Sequence, residues 1–380
     1  MLRRFLRFLA HFAAACLLLA GLLFAAECFL RSQESQHSQS IDPTENSRIF
    51  DRSSAVHHSL RPSAIINEPA ADGQANRFTI NSFGLRGTEP VVPKPASLYR
   101  ILILGDETVF AASIHNEQTV AAQLQSHLQR TTNRSIEVVN GGVPGYCPLL
   151  SLLQFRHRLA GLRPDLVVLS FSLNDPDDDY RYRPGLITDR NGRALSCSHH
   201  TLAPDSEDNP LTELRQYAIG RWASRKLLEG TVGNDNNEGR RLRWLHMASG
   251  ADWEKQLNAT IRPIAELATI TKQLSARFVL TTVPVSEQLF DASNPIEPVK
   301  ARTFAARNAL ISLASKHQFE FCDLSGVLVN EDLTPDRPGL TESGHYNLAV
   351  ELAAHITRSR ASRPSTRYHV QQVSAEQNRF

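Results

Sequence analysis

Several signatures of common protein classes are missing from this chain. The turn after its first strand-like run lacks G-x-G-x-x-G, and no G-K-[ST] occurs, which argues against a nucleotide-binding α/β module. The five cysteines, Cys16, Cys28, Cys147, Cys197 and Cys322, are odd in number and include no C-x-x-C pair, so neither a zinc site nor a disulfide framework is suggested. Cys147, Cys197 and Cys322 read most simply as small apolar residues, with a Cys147–Cys197 bridge the alternative outside the cytoplasm. Net charge is only +2 over 380 residues, so nothing marks a nucleic-acid binder. The slight basic excess sits partly at the ends, in Arg3, Arg4 and Arg7 and in Arg358, Arg360, Arg363 and Arg367.

What is present begins with an apolar N-terminus. Met1–Arg7 is basic, and Phe8–Leu30 is almost wholly apolar, interrupted by His11 and Glu27 near its ends. That matches the roughly 20 apolar residues a helix needs to span a bilayer. It exceeds a signal-peptide core, and no A-x-A site closes it, so an uncleaved anchor fits better than a cleaved signal. The arginines ahead of it place the N-terminus inside and the bulk of the chain outside the cytoplasm.

Residues 31–79, rich in Ser, Gln, Asn, Pro and His, read as a linker. A strand–helix rhythm follows. Continuous aliphatic runs at Tyr99–Leu104, Ile136–Asn140, Leu166–Phe171, Phe278–Pro284 and Glu320–Leu324 suit parallel strands buried on both faces. Helices are predicted over Thr119–Arg130, Leu149–Leu162, Trp253–Ser275, Val299–His317 and Glu342–Ile356. Asp175–Gly250, with the acidic run Asp175, Asp177, Asp178 and Asp179, reads as an insertion over one end of the sheet. The chain thus divides into an anchor (1–30), a linker (31–79), an α/β domain (80–357, insertion 175–250) and a loose polar tail (358–380). The domain is expected to be a three-layer α/β/α sandwich on a mostly parallel five-stranded sheet.

Ligands bind such sheets beyond the carboxyl ends of the strands. Those ends carry Gly105-Asp106-Glu107-Thr108, then Asn140-Gly141-Gly142-Val143-Pro144-Gly145, then Ser172-Leu173-Asn174-Asp175; before the last helix stands Asp336-Arg337-Pro338-Gly339-Leu340-Thr341-Glu342-Ser343-Gly344-His345. In this order and spacing the four blocks resemble the SGNH (GDSL-like) hydrolases over residues 80–357, the insertion being poorly matched. The resemblance implies a nucleophilic Ser in the first block, a glycine N–H and an Asn amide as oxyanion donors in the second and third, and an Asp and His completing the triad in the last. On this chain Gly142, Asn174 and Asp336 match, Ser172 replaces a Gly, Glu107 stands at the nucleophile position, and Gly339 at that of the base.

A hydroxyl attacks an ester only when a base takes its proton. A carboxylate is a poorer nucleophile, and its charge opposes the developing oxyanion. Gly339 has no side chain to act as base. Thr108, one residue along the turn, points elsewhere; His345, usual in this family's last helix without a catalytic part, is the nearest replacement base in sequence; His199 and His200 read as solvated, and His115 as facing solvent or a cap. Structural readings accompany each residue. Asp106 would cap the next turn, Gly142 and Gly145 would serve positive φ, Asn174 would be a turn residue, Asp336 would be structural, and the acidic run would be a solvated loop rather than a calcium site.

The expectation is a membrane-anchored, extracytoplasmic degenerate hydrolase that keeps a pocket for an acyl, acetyl-ester or carbohydrate group. The alternative is an active esterase or acyl transferase with a rearranged nucleophile and base. No cofactor or metal is expected; the implied partners are the membrane, through the N-terminal helix, and an acylated glycan or other envelope component, with no nucleic acid.

Overall fold

The computed structural model describes residues 49–69, 75–199, 202, 243–247, 250–283, 297–334 and 339–361, with parts of a helical segment between 3 and 27. Among the described residues no helix is long and apolar enough to cross a membrane. The anchor expected over 1–30 is described only in part, and His200, Asp336, most of 203–249 and the tail from 362 lie outside the described residues.

Five strands form one parallel sheet: β5 (Tyr99–Gly105), β6 (Ile136–Gly142), β7 (Leu166–Ser172), β10 (Arg277–Val283) and β11 (Glu320–Asp323), in the order β6-β5-β7-β10-β11. The central strand β7 is buried at every position, which is why its sequence is a continuous apolar run rather than an alternating one. Leu166 and Val168 join one core cluster, and Val167, Leu169 and Phe171 the other, as the two-residue period of a strand requires. Helices α2 (Val120–Thr131) and α7 (Glu342–Ala361) pack on each other over the first face. Over the second lie α3 (Pro148–Gln154), α5 (Gly250–Gln273) and α6 (Glu297–His317), giving three layers. The helix expected over Leu149–Leu162 is α-helical only to Gln154, then passes through a π-turn (Phe155–Leu159) and a 3₁₀ turn (Ala160–Leu162).

The expected linker behaves differently. Residues 49–79 form two antiparallel hairpins, β1 (Phe50–Ser53) with β2 (His57–Leu60) and β3 (Ile65–Pro69) with β4 (Ala75–Thr79). Phe50, Val56, Leu60, Ile66 and Phe78 are buried in the main core cluster. Residues 49–79, expected as linker, therefore include β-structure packed into the main core. Strands this short bury only alternate side chains, so few apolar residues among many polar ones give no visible run. The acidic run is likewise not a solvated loop. It forms α4 (Asp175–Tyr182), with Asp175, Asp178 and Asp179 buried, and acidic residues in its first turn face the positive end of the helix dipole. A further hairpin, β8 (Leu186–Thr188) with β9 (Ala194–Cys197), follows it.

Candidate active site

The chain runs from β5 outward to β6, then returns to the other side of β5 for β7. In such sheets a reversal of this kind puts the usual ligand position, called the crevice below, beyond the carboxyl ends of the two strands that flank it, here β5 and β7. Asp106 and Glu107 leave β5 there, and Leu173, Asn174 and Asp175 leave β7.

Asp106 caps the one-turn helix α1 (Glu107–Phe110), its Oδ1 accepting the Thr108 N–H at 2.9 Å. Glu107 is the first residue of that turn and is half-buried. Its Oε2 accepts the N–H of Gly145 at 3.2 Å. Gly145 has φ +76°, a conformation glycine adopts without strain, and this aims its N–H back at the crevice. Glu107 thus meets the second block through Gly145 rather than through Gly142.

The two expected oxyanion donors are engaged within the protein. The Gly142 N–H donates to Asn140 Oδ1 at 3.0 Å, and Asn140 Nδ2 donates to the Val109 carbonyl at 2.8 Å. Gly142 has a packing reason to lack a side chain: a Cβ there would stand 2.4 Å from the Phe110 nitrogen. Asn174 donates its amide to Asp178 Oδ2 at 2.9 Å, across one turn of α4.

The crevice is crowded with carboxylates. Burial, then the neighbouring charges of Glu107 and Asp178, push Asp106 up to about 7 against hydrogen bonds from Thr108 and Ser172. Burial, then Asp106, also push Asp175 well above the ordinary range, although the Ser172 N–H donates to its Oδ2 at 3.0 Å. Asp178 is paired with Arg181 at 3.3 Å. A carboxylate cluster of this kind holds protons at neutral pH and repels a developing oxyanion. Among the described residues no group of three or more His, Cys, Asp or Glu is placed to hold a metal ion.

Gly339 has φ +154° and joins the Leu333–Leu340 bridge region, its carbonyl accepting the Thr334 N–H at 3.2 Å. A Cβ at Gly339 would lie 3.3 Å from Thr334 Oγ1 and 3.8 Å from Ser113 Oγ, so Ser113 is the nearest hydroxyl from the loop after α1. His345, on α7, is fully buried; burial, then the Arg86 charge, hold it down to about 3, which leaves it unprotonated at neutral pH and a weak base. His115 is exposed and caps the 3₁₀ turn after it. His199 is not solvated but completely buried. Cys147, Cys197 and Cys322 are buried free thiols, so the Cys147–Cys197 bridge is not formed.

Arg86 was not singled out by its sequence context. It is buried, its guanidinium stands 4.0 Å from the Phe78 ring centroid, and it donates to the carbonyls of Phe110, Ala111 and Ile114 and to Asn116 Oδ1. It thereby fixes the chain that leaves α1. Arg86 lies in the turn Asn81–Gly87, and a single Arg in a short polar turn carries no sequence sign of this role.

No family model matches the chain, and no curated protein matches it. Solved structures similar to it include a G-D-S-L family lipolytic protein of Desulfitobacterium hafniense DCB-2 (12% identity, 67% of this chain and 98% of that one, TM-score 0.37). They also include Axe2, an acetylxylan esterase of Geobacillus stearothermophilus (15%, 68% and 94%, TM-score 0.40). A third is LAE5, an α/β hydrolase enzyme from the metagenome of Lake Arreo (16%, 67% and 94%, TM-score 0.39). At these identities and scores the likenesses carry no weight for residues or chemistry, which rest on the geometry above.

Proposed function

We propose that this chain is an SGNH-like hydrolase-fold protein, held at the membrane by its N-terminal helix with the domain outside the cytoplasm, that has lost ester hydrolysis. Its crevice serves as a binding site for an acyl, acetyl-ester or carbohydrate group, as on an acylated glycan or other envelope component. The observation that carries this reading is Glu107 at the crevice, its carboxylate satisfied by the Gly145 N–H at 3.2 Å. A carboxylate so placed neither attacks an ester nor tolerates an oxyanion beside it. Three further features support it: the Gly142 and Asn174 donors are engaged by Asn140 and Asp178, Gly339 offers no base, and His345 is held neutral.

The test is turnover of an acetyl ester by the full chain in detergent. The expected rate equals the buffer blank. Turnover above it that disappears in Glu107→Gln would overturn the reading in favour of a rearranged active site. The double variant Glu107→Ser with Gly339→His is expected to gain activity over the parent. Gly339→His strains a φ of +154° and crowds Thr334, so a melting curve accompanies the assay. Removal of the N-terminal 30 residues is expected to release the protein from membranes; continued membrane association would sink the anchor.

A further inference from the structure

Three histidines outside the carboxylate crevice are buried together. His57 and His58 open the second strand of the first hairpin, and His199 follows β9. His57 adopts φ +60°, an uncommon conformation for a residue with a side chain. Its Nδ1 stands 3.0 Å from Nδ1 of His58, and Nε2 of His58 stands 3.1 Å from the Pro144 carbonyl oxygen. The rings of His199 and Tyr182 lie 4.6 Å from that of His57. The Tyr146 hydroxyl donates to the His58 carbonyl at 2.6 Å.

The proton positions follow from the partners. A carbonyl only accepts, so His58 carries its N–H on Nε2. A neutral imidazole has one N–H, so Nδ1 of His58 is bare and accepts, and Nδ1 of His57 donates. A second proton on His58 would set two N–H groups face to face across 3.0 Å. Moving the His57 proton to Nε2 would relieve that clash, but the added charge would then be buried between the two rings, which costs stability. The other titratable groups around the histidines include Arg52, opposite His58 on β1, Tyr146 and Cys147 at the turn, Tyr182 and Asp179 on α4, Cys197 on β9, Glu107 across the turn, and Arg158 near Tyr146. Burial pushes the Tyr146, Cys147 and Cys197 groups up, so they stay neutral, and Asp179 is raised by burial while paired with Arg183. Of this shell, the imidazoles have the ordinary range that covers mildly acidic pH.

The relay ends on the turn that serves the crevice. Pro144 precedes Gly145, whose N–H reaches Glu107, and the Tyr182 hydroxyl lies 3.0 Å from where a Gly145 Cβ would stand. The same hairpin is tied down by Cys197 N–H to the Ala55 carbonyl at 2.9 Å and His199 N–H to the Ser53 carbonyl at 3.0 Å. We propose that His57, His58 and the Pro144 carbonyl form a proton-sensitive latch. With neutral imidazoles it holds the first hairpin against the Pro144–Gly145 turn and fixes the N–H that Glu107 accepts; protonation of His58 releases the hairpin and loosens that turn. The latch acts whether the crevice binds or cleaves.

Hydrogen exchange on the full chain in detergent tests it, with rates corrected for the intrinsic effect of pH. Between about pH 7.5 and about pH 5, protection of residues 53–61, Cys197 and His199 is expected to fall about tenfold or more relative to Leu102–Leu104. An unchanged ratio overturns the proposal. His58→Gln keeps an amide donor for Pro144 but cannot titrate, so its hairpin is expected to stay protected at both pH values. A variant that keeps the parent's pH dependence overturns the latch. Nitrogen NMR of histidine-labelled parent at neutral pH needs no variant: His58 is expected as the Nε2–H tautomer and His57 with a proton on Nδ1, and the opposite assignment for His58 overturns it.

Discussion

Two groups of carboxylates stand on the same sheet and are treated in opposite ways. Asp106 and Asp175 leave the inner strands β5 and β7, where burial comes first and then a neighbouring carboxylate, Glu107 for Asp106 and Asp106 for Asp175, pushing Asp106 up to about 7 and Asp175 well above its ordinary range. Glu320 and Asp323 lie on the outer strand β11. Burial there is outweighed by hydrogen bonds, from His355 and Arg277 to Glu320 and from Ser325, Arg307 and Thr282 to Asp323, and both are held down to about 2. The outer pair has arginines to answer each acid; the charges beside the inner pair are those of further carboxylates. An arrangement that costs stability persists where something other than stability selects it, which is the reason the proposed site is placed at the inner group and not at the outer one.

The two groups drive stability in opposite directions with pH. Asp106 is raised in the folded state, so between about 3.8 and about 7 the folded chain holds a proton that the unfolded chain has released, and stability declines as pH climbs through that window. Glu320 and Asp323 are depressed, so their contribution is present above their ordinary range near 4 and is lost as pH falls toward about 2. His345, held down to about 3, also loses stability as pH falls below its ordinary 6.5, and it opposes Asp106 in the parent. Differences between variant and parent therefore isolate each group better than the parent's own profile.

The largest effect is expected where the answering cation is removed. Arg277 donates twice to Glu320, at 3.0 and 2.7 Å. Arg277→Met should cost about 2 kcal/mol at neutral pH in urea unfolding, discounted from the full buried-pair penalty because both groups keep some solvent. The loss should shrink below the ordinary carboxylate range, where Glu320 of the variant is protonated; a pH-independent loss would mean packing rather than charge. At the inner group the sign reverses. Asp106→Asn should stabilise by on the order of 1–2 kcal/mol at pH 8 and by little at pH 4, because it removes a charge that the fold resists. Destabilisation at pH 8 would show that the Asp106 charge is held by the site. Arg307→Leu, at the half-exposed outer end, should cost about 1 kcal/mol, again fading in acid.

Sequence reading recovered the sheet because buried parallel strands are continuous apolar runs, and β7 has no polar position before Ser170. It located Asp106, Glu107, Gly142 and Asn174 at strand ends because connectivity alone decides which residues leave a strand at its carboxyl edge. It did not place their partners. Glu107 meets Gly145 instead of Gly142 or Asn174 because the φ of +76° at Gly145 turns one N–H into the crevice, and two glycines three positions apart in one turn look alike in sequence. The hairpin that carries His57 and His58 reads as linker because two-stranded sheets bury too few side chains to leave a pattern. Arg86 and the acidic helix α4 were missed for a shared reason: a buried charge is made tolerable by distant carbonyls or a dipole that no local window contains.

The smallest change in stability should come from Glu107→Gln, and it sharpens the comparison most. Glutamine keeps an acceptor oxygen for the Gly145 N–H and leaves a half-buried side chain of the same shape, so unfolding should move by less than about 0.5 kcal/mol. Its effect belongs to the neighbour. Glu107 is the first charge that pushes Asp106 upward, after burial itself, so removing it should move the Asp106 titration midpoint down from about 7 while Glu320 and Asp323 stay near about 2. Carbon NMR of the aspartate and glutamate carboxyls reads all of these in one titration. An Asp106 midpoint that does not move would mean burial alone raises it, and that the inner carboxylates are separate groups on one edge rather than one coupled site.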